Sequence, residues 1–447
     1  MIIKNQLKVM NGWAMYDWAN SVYNLVITSA IFPIYYNSVT SIKDGAVLIS
    51  DKVTFMGMTF VNTALQNYAL AFSFLCVCFL SPVLSSVADY KGNKKTFLKF
   101  FCYMGALSCA GLYFFKSDNL PLGIFFIITA SIGFWGSLVF YNSYLPEIVT
   151  TDKIDKLSAK GFSLGYLGSS TLLIICLAII LGHESLGIET GFATRICFIL
   201  VAIWWIGFAQ ITFSRLPKTI VAESHKQGNW TKGFSELKKV WEIVKRDSSL
   251  KTFLGSFFLY SMGVQTVMLV AVNYGDKLLM LDTSNLIGTV LIIQFVGILG
   301  AWLFSKLSKS AGNKTGIITA VIIWIGICIG GYYVGIYKSE YGFYTLAFFV
   351  GLVMGGIQSL SRATFSKLVP ENTEDTTSFF SFYDVAEKLA IVIGISSYGL
   401  IEEVTGSMQN SIIALAIFFI AGFIVLIPLR DKRLAAYNDV DSEVITN

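Results

Sequence analysis

The stretch IIALAIFFIAGFIVLIP, Ile412 to Pro428, holds seventeen residues and no charge, and it decides which solvent this chain folds in. At 1.5 Å per residue, a helix over it and a few neighbours crosses a hydrocarbon core of ~30 Å. Six further apolar runs repeat the pattern: Leu25–Pro33, Ala69–Val87, Gly123–Val139, Leu172–Leu181, Ile196–Gly207 and Ile317–Gly331. Over all 447 residues, 55% are apolar and 14% charged, where a soluble domain carries about 25% charged residues. Too few polar residues remain to cover the surfaces of the two or three soluble domains this length would form. The chain reads as an all-α, multi-pass membrane protein.

Working outward from that run, spans are predicted at 13–36, 66–88, 96–115, 121–144, 161–182, 193–213, 250–275, 284–305, 315–336, 342–364, 377–400 and 410–429. The loop charges test the number. With a cytoplasmic N-terminus, cytoplasmic segments hold 26 Lys and Arg and outer loops hold six: Lys43, Lys52, Lys116, Arg195, Lys277 and Lys338. A miscounted span would invert every later loop and destroy that bias. Twelve helices with both termini cytoplasmic are therefore expected.

The net charge of +5 lies in short loops beside apolar segments, which argues against nucleic acid. All seven cysteines (76, 78, 102, 109, 176, 197 and 328) fall within apolar segments, where Cys behaves as a small hydrophobe, and both histidines, His183 and His225, fall in loops. Disulfides, zinc and haem are unsupported, and no metal site is expected. The first apolar stretch contains Asp17 and is too long for a cleavable signal.

The two halves carry matching signals. Gly92-Asn93-Lys94 after the second span returns as Gly312-Asn313-Lys314 after the eighth, and Leu145-Pro146-Glu147 returns as Val369-Pro370-Glu371. The offsets are nearly equal and both pairs sit in cytoplasmic loops. The organisation expected is a six-helix half over 1–213, a linker over 214–249, a second half over 250–430 and a tail over 431–447. Parallel repeats of this kind place a substrate site between the halves near the midplane. In the basic linker, Phe234, Leu237, Trp241 and Val244 fall on one helical face. Two readings stand for it: a helix lying on the cytoplasmic membrane surface, or one that binds a partner.

The loop SSVADYKGNKK (Ser85–Lys95) resembles the G-x-x-x-D-R-x-G-R-[KR] loop of the major facilitator superfamily, with Asp89, Gly92 and Lys94 in place. It departs at Ser85, Tyr90 and Asn93. The resemblance implies that Asp89, with Lys94 and Lys95, latches the cytoplasmic side. The second copy lacks the acid, so one latch is expected to be the stronger. Three further stretches resemble the vacuole-effluxer-like family of autophagy-related amino-acid exporters and their bacterial relatives. They are WAMYDWANSVY (Trp13–Tyr23), FYNSYLPEI (Phe140–Ile148) with KGFSLGYLGS (Lys160–Ser169), and GGIQSLSRATFSKLVPE (Gly355–Glu371) with FFSFYDVAEK (Phe379–Lys388). The resemblance implies two pseudo-symmetric six-helix bundles of the major facilitator fold over the whole chain.

Charged groups at bilayer depth cost roughly 2.5–3.5 kcal/mol each on insertion scales, and are usually functional or paired. On the first span Asp17, Asn20, Ser21, Asn24 and Thr28 share an arc of about 100°, a face for a cavity or for polar packing. On the eleventh, Asp384 and Lys388 stand i, i+4 apart in the better order for an ion pair. Glu387 points about 100° away from Lys388, and Tyr383 precedes the group. Either Glu387 or Asp17 would carry a coupling proton while Lys388 orients an anionic substrate group, or the charges form a structural network holding this span against the opposite half, with span 1 as the partner to look for. Gln358 and Arg362 share a face of the tenth span as gate or substrate contacts, and Tyr141 and Asn142 end the fourth. Glu147 and Glu371 read as acids of the cytoplasmic gate. Gly161, Gly165 and Gly168, and Gly351 and Gly355, allow close helix approach.

No nucleotide-binding loop is present. The expected function is secondary transport by alternating access. The resemblance implies an amino acid or similar small polar metabolite as cargo, with a sugar or drug-like solute as the alternative. A membrane-embedded enzyme lacks its Ser/His or metal constellation, and a non-transporting receptor or scaffold lacks large soluble segments. The expected partners are a small-molecule substrate and the bilayer, with no nucleic acid and a monomeric working unit. No cofactor is expected beyond a coupling proton. A bacterial cytoplasmic membrane is the expected location.

Overall fold

The computed structural model describes residues 4–44, 47–91, 93–217, 232–281, 283–370, 373, 375–430 and 432–435. The first span is α1 (Leu7–Val22), which passes into a π-helical segment (Tyr23–Ile31) and then α2 (Phe32–Thr40). The loop that follows holds two hairpins: β1 (Ile42–Asp44) with β2 (Val47–Ser50), and β3 (Lys52–Phe55) with β4 (Met58–Val61). Spans two to six are α3 (Asn62–Lys91), α4 (Lys94–Gly111), α5 (Leu120–Ser143), α7 (Thr151–Leu181) and α8 (Thr190–Arg215), with the single turn α6 (Leu145–Ile148) after α5. The linker helix is α9 (Lys232–Arg246). The second half runs through α10 (Ser248–Lys277), α11 (Thr283–Tyr337), α12 (Glu340–Leu368), α13 (Thr376–Thr405) and α14 (Met408–Leu426). Within α11 the chain reverses at Gly312, whose φ of 81° suits a residue without Cβ, so α11 contains two spans. The total is twelve.

Nine helices among the described residues are long and apolar enough to cross a membrane, one of them the two-span Asn285–Tyr337. The polar first span and the charged α13 fall short, and they are the two richest in candidate site residues. The helices also run past the predicted ends: α1 starts at Leu7 rather than at 13, and α7 at Thr151 rather than at 161. Polar turns outside the hydrocarbon keep helical bonding that hydropathy does not report. The two hairpins were not anticipated by the all-α reading. Lys52–Phe55 and Met58–Val61 flank Met56-Gly57, whose φ values of 49° and 80° make the left-handed two-residue turn that hairpins favour.

The same pairings build each half. In the first, α1 packs on α7 and α8, and α5 on α3 and α4; in the second, α10 packs on α13 and α14, and α12 on both arms of α11. Between halves, α7 crosses to α11 and α12 while α13 crosses to α3 and α5. Spans 5 and 11 thus trade places, which is the signature of a two-fold axis along the membrane normal. An even number of spans puts both termini and the linker on one face, here called the linker face.

The glycines act as close contacts. A Cβ on Gly161, Gly165 or Gly168 would strike Asp17, Ser21 or the Trp18 carbonyl of α1, and one on Gly355 would sit on the Gly297 carbonyl. Gly355→Val is expected to cost about 1–3 kcal/mol by overpacking, read as a lowered Tm in detergent. Gly207, with open space around it, serves as the control that tolerates Ala.

The linker helix does not simply lie on the bilayer. Val240 and Val244 are buried, α9 packs on the ends of α3, α10 and α13, and the Trp241 ring lies 5.7 Å from that of Phe382. The side chains of Phe234 and Leu237 lie outside the described residues.

Candidate functional site

Two polar layers separate along the membrane normal. The first, toward the linker face, centres on Arg362 near the end of α12. Its Nη1 donates to Asp17 Oδ2 of α1 at 3.1 Å and to Asn142 Oδ1 at 3.3 Å; Nε and Nη2 donate to the Ser158 hydroxyl and carbonyl at 3.0 and 2.8 Å. Tyr141 donates its hydroxyl to Asp17 at 2.9 Å. The guanidinium lies 4.2 Å from the Phe162 ring and 4.8 Å from that of Trp13, which itself stacks on Tyr141. Planar stacking plus a multidentate fork is work that lysine could not do. Asp17 and Arg362 are both almost completely buried, with 8% and 5% of their side chains exposed. Sequence reasoning named Asp17, Tyr141, Asn142 and Arg362 separately, and the structure brings them into one cluster joining the halves.

Beside it lies a pair that the sequence reading missed. Lys367 Nζ meets Asp155 Oδ2 at 2.7 Å and Asn313 Oδ1 at 2.7 Å, while Asn313 and Ser308 donate to Asp155 at 2.8 Å each. Here the expectation of a weaker second latch needs correction. In the first half Asp89, at the end of α3, accepts the backbone N–H groups of Thr377 and Ser378 at 3.1 and 2.8 Å and the Ser378 hydroxyl at 2.9 Å, all in the first turn of α13. Free N–H groups at a helix start suit a carboxylate. In the second half the loop brings Asn313 instead, and the acid is Asp155, the fifth residue of α7. The acid has changed sides of the contact; it has not been lost. Asp155→Ala is expected to strand the buried Lys367 charge, costing about 3 kcal/mol, and to raise cysteine labelling of linker-face positions.

Among the remaining gate residues, Lys94, Lys95 and Glu147 make contacts on the first-half side. Lys94 pairs with Glu147, lying 4.6 Å from the Tyr144 ring, and Lys95 donates to the Leu216 carbonyl at 2.7 Å. They tie loops of the first half together. Glu371 lies outside the described residues.

The second layer lies at mid-depth, about 18 Å along α13 from Thr376 at 1.5 Å per residue. Lys388 Nζ reaches Asp384 Oδ1 and Glu387 Oε2, each at 3.0 Å, and sits 3.6 Å from the centre of the Trp135 ring across the seam. Glu387 Oε1 accepts from Gln265 of α10 at 3.1 Å. The expectation that Glu387 turns away from Lys388 fails, because a flexible four-carbon stem reaches a neighbour that the helical wheel places about 100° away. The expected anion-orienting role also fails in this state: Lys388 is fully buried between two carboxylates and an aromatic face. Nor does α13 look for its partner on α1; it crosses to α3 and α5, and α12 supplies the partner of Asp17. Gln358 accepts from Tyr166 across the seam at 3.0 Å. Tyr383 stacks between Phe257 and Phe365 at 4.2 and 4.7 Å, a packing role. On the first span Asn20 is buried just before the π-helical segment, and Asn24, inside that segment, is exposed. Such segments often accompany functional sites.

Among the described residues, every hydrogen bond between the halves lies toward the linker face or at mid-depth. Three polar contacts among the described residues close the linker face. Gln265 and Trp135, which complete the central cluster, carry a weak sequence signal and none respectively. A glutamine inside an apolar span is unusual; a tryptophan is not.

Twelve spans in two such halves, meeting around buried charges, define a secondary transporter of the major facilitator type. The chain belongs to the family described as "Vacuole effluxer Atg22 like", which matches residues 5–436. It is 30% identical over 429 residues to the MFS-type transporter YxiO of Bacillus subtilis (strain 168), covering 95% of each chain. Autophagy-related protein 22 of Coccidioides immitis (strain RS) is 24% identical over 543 residues, covering 97% of this chain and 87% of that one. Among solved structures, FucP in the outward conformation superposes with a TM-score of 0.67 at 11% identity, covering 95% of this chain and 98% of that one. The proton:xylose symporter XylE bound to 6-bromo-6-deoxy-D-glucose gives 0.69 at 13%, covering 98% of both chains. At such identities these two show the fold. The protein is an integral multi-pass membrane transporter and not an enzyme.

Proposed function

We propose that this transporter moves an amino acid or similarly small polar metabolite by alternating access, coupled to a proton carried at Glu387. The observation that carries the reading is the charge cluster on α13 at mid-depth, facing Trp135 of the other half, behind a closed linker face. Buried acids with an adjacent base in a membrane core are the usual proton carriers. The loop charges support a cytoplasmic linker face, and a bacterial relative such as YxiO supports a bacterial cytoplasmic membrane. Each half contributes to one central site, so a monomer suffices.

The test is uptake of labelled amino acids into proteoliposomes with an imposed pH gradient. The reading predicts gradient-dependent uptake of at least one, well above that of protein-free vesicles. Uptake that ignores the gradient contradicts proton coupling, and no uptake of any amino acid contradicts the cargo.

A further inference from the structure

The charges inside the membrane do not balance, and we infer that the cargo supplies what is missing: it carries a cationic group, an amine or guanidinium, that binds at Glu387 in exchange for a proton. The inference rests on the transport reading and deepens it. Three cations lie within the described parts of the cross-half contacts and the central site. Arg362 is matched by Asp17, and Lys367 by Asp155. Lys388 faces two acids, Asp384 and Glu387. The central cluster therefore has one negative charge in excess when both acids are ionised.

The positions of the atoms say which charge is open. The Lys388 ammonium has three donor directions, and two carboxylates and the Trp135 ring take them, with no exposed surface left. Arg362 is likewise held by Asp17, Asn142 and Ser158. Among the described residues of the seam and the central site, no cation is thus left open to an anionic substrate. On the acid side, Asp384 is 6% exposed and its Oδ2 accepts no hydrogen bond, and the buried Ser381 hydroxyl one turn earlier also has no partner. Glu387 is the accessible member, with 19% of its side chain exposed, its Oε1 held by Gln265 and its Oε2 by Lys388. An uncompensated charge at this depth is costly. A proton or a cationic group removes that cost equally well, and the two compete for one site. A neutral solute does not. Proton and cargo then cross in opposite senses: the amine displaces the proton from Glu387 on one face, and the proton displaces the amine on the other. For an amino acid, the ammonium group makes this contact and the carboxylate is left to neutral donors.

The experiment is thermal shift of the purified full chain with putrescine, L-arginine and choline as cations, succinate as anion and D-xylose as neutral solute, at pH 8 and pH 5.5. At least one cation is expected to raise Tm at pH 8, with apparent affinity that falls as the pH is lowered. The response is lost in Glu387→Gln and kept, weakened, in Glu387→Asp, which shows that the folded site survives substitution. Stabilisation by succinate or D-xylose overturns the inference, as does silence toward all three cations or a cation response that persists in Glu387→Gln. The transport reading is decided separately by movement of the halves, a readout that needs no ligand.

Discussion

Arg362→Met is expected to open the linker face and to stop transport. The substitution keeps the bulk of the stem and removes every cross-half bond that the guanidinium makes to Asp17, Asn142 and Ser158. It also leaves the Asp17 carboxylate buried with only the Tyr141 hydroxyl. Breaking a buried pair by removing one partner costs about 3–5 kcal/mol. That cost falls on the state in which Asp17 is buried at the seam. A 3 kcal/mol penalty shifts the balance of two conformations by roughly a hundredfold. The protein should therefore populate the form open at the linker face and lose the closed one. Labelling of a cysteine at Ser359, buried at the seam where its carbonyl accepts from Ser158, should rise by an order of magnitude or more. Reversing the pair, with Asp17→Arg and Arg362→Asp together, should recover part of the closure that either change alone destroys. If labelling stays at the parental level, the Arg362 cluster is packing and not a lock.

Glu387→Gln is expected to leave the fold intact while abolishing the response of transport to a pH gradient. The reason lies in the charge count. Lys388 keeps Asp384 at 3.0 Å as counter-ion, so the variant cluster is neutral and Tm should stay close to that of the parent. Lys388→Met is the opposite case. It leaves two adjacent acids, Asp384 and Glu387, without a cation, and should destabilise the protein by about 3–5 kcal/mol, enough to prevent recovery of folded material. Uptake in Glu387→Gln vesicles that still follows the gradient would assign the proton elsewhere, with Asp17 the next acid to substitute.

Much of this architecture was readable from the chain, and the residues show why. Apolar runs such as Ile412–Pro428 declare a solvent and a length, and loop lysines declare sidedness, so twelve spans came from one-dimensional information. The repeated Gly-Asn-Lys and Pro-Glu tripeptides announced two halves, which the exchange of α7 and α13 across the axis displays in three dimensions. The site was legible as composition but not as pairing. Asp17 and Arg362 were both conspicuous as charges inside spans, yet nothing in a single sequence says that residues 345 apart share a bond. Asp155 and Lys367 were missed because each reads as an ordinary charge at a helix end, and only the fold brings them together behind Asn313. The helical wheel separated Glu387 from Lys388 because it draws Cβ directions, whereas a lysine ammonium ranges widely around its Cβ. The π-helical segment in the first span had no sequence cue beyond Pro33 just after it.

The central claim is that the two halves rock about the midplane and that cross-half polar contacts hold the linker face shut. It is tested most directly by two distances along one pair of helices, α7 and α11. Spin labels at Lys156 and Ser310 report the linker face, where Asp155 and Ser308 are hydrogen-bonded, and labels at Glu184 and Asn285, both exposed, report the opposite ends. In the parent the account predicts a short linker-face distance and a long opposite one. In Arg362→Met it predicts that the first lengthens while the second shortens. A linker-face distance that lengthens with the opposite distance unchanged, or two distances that do not move, would contradict it.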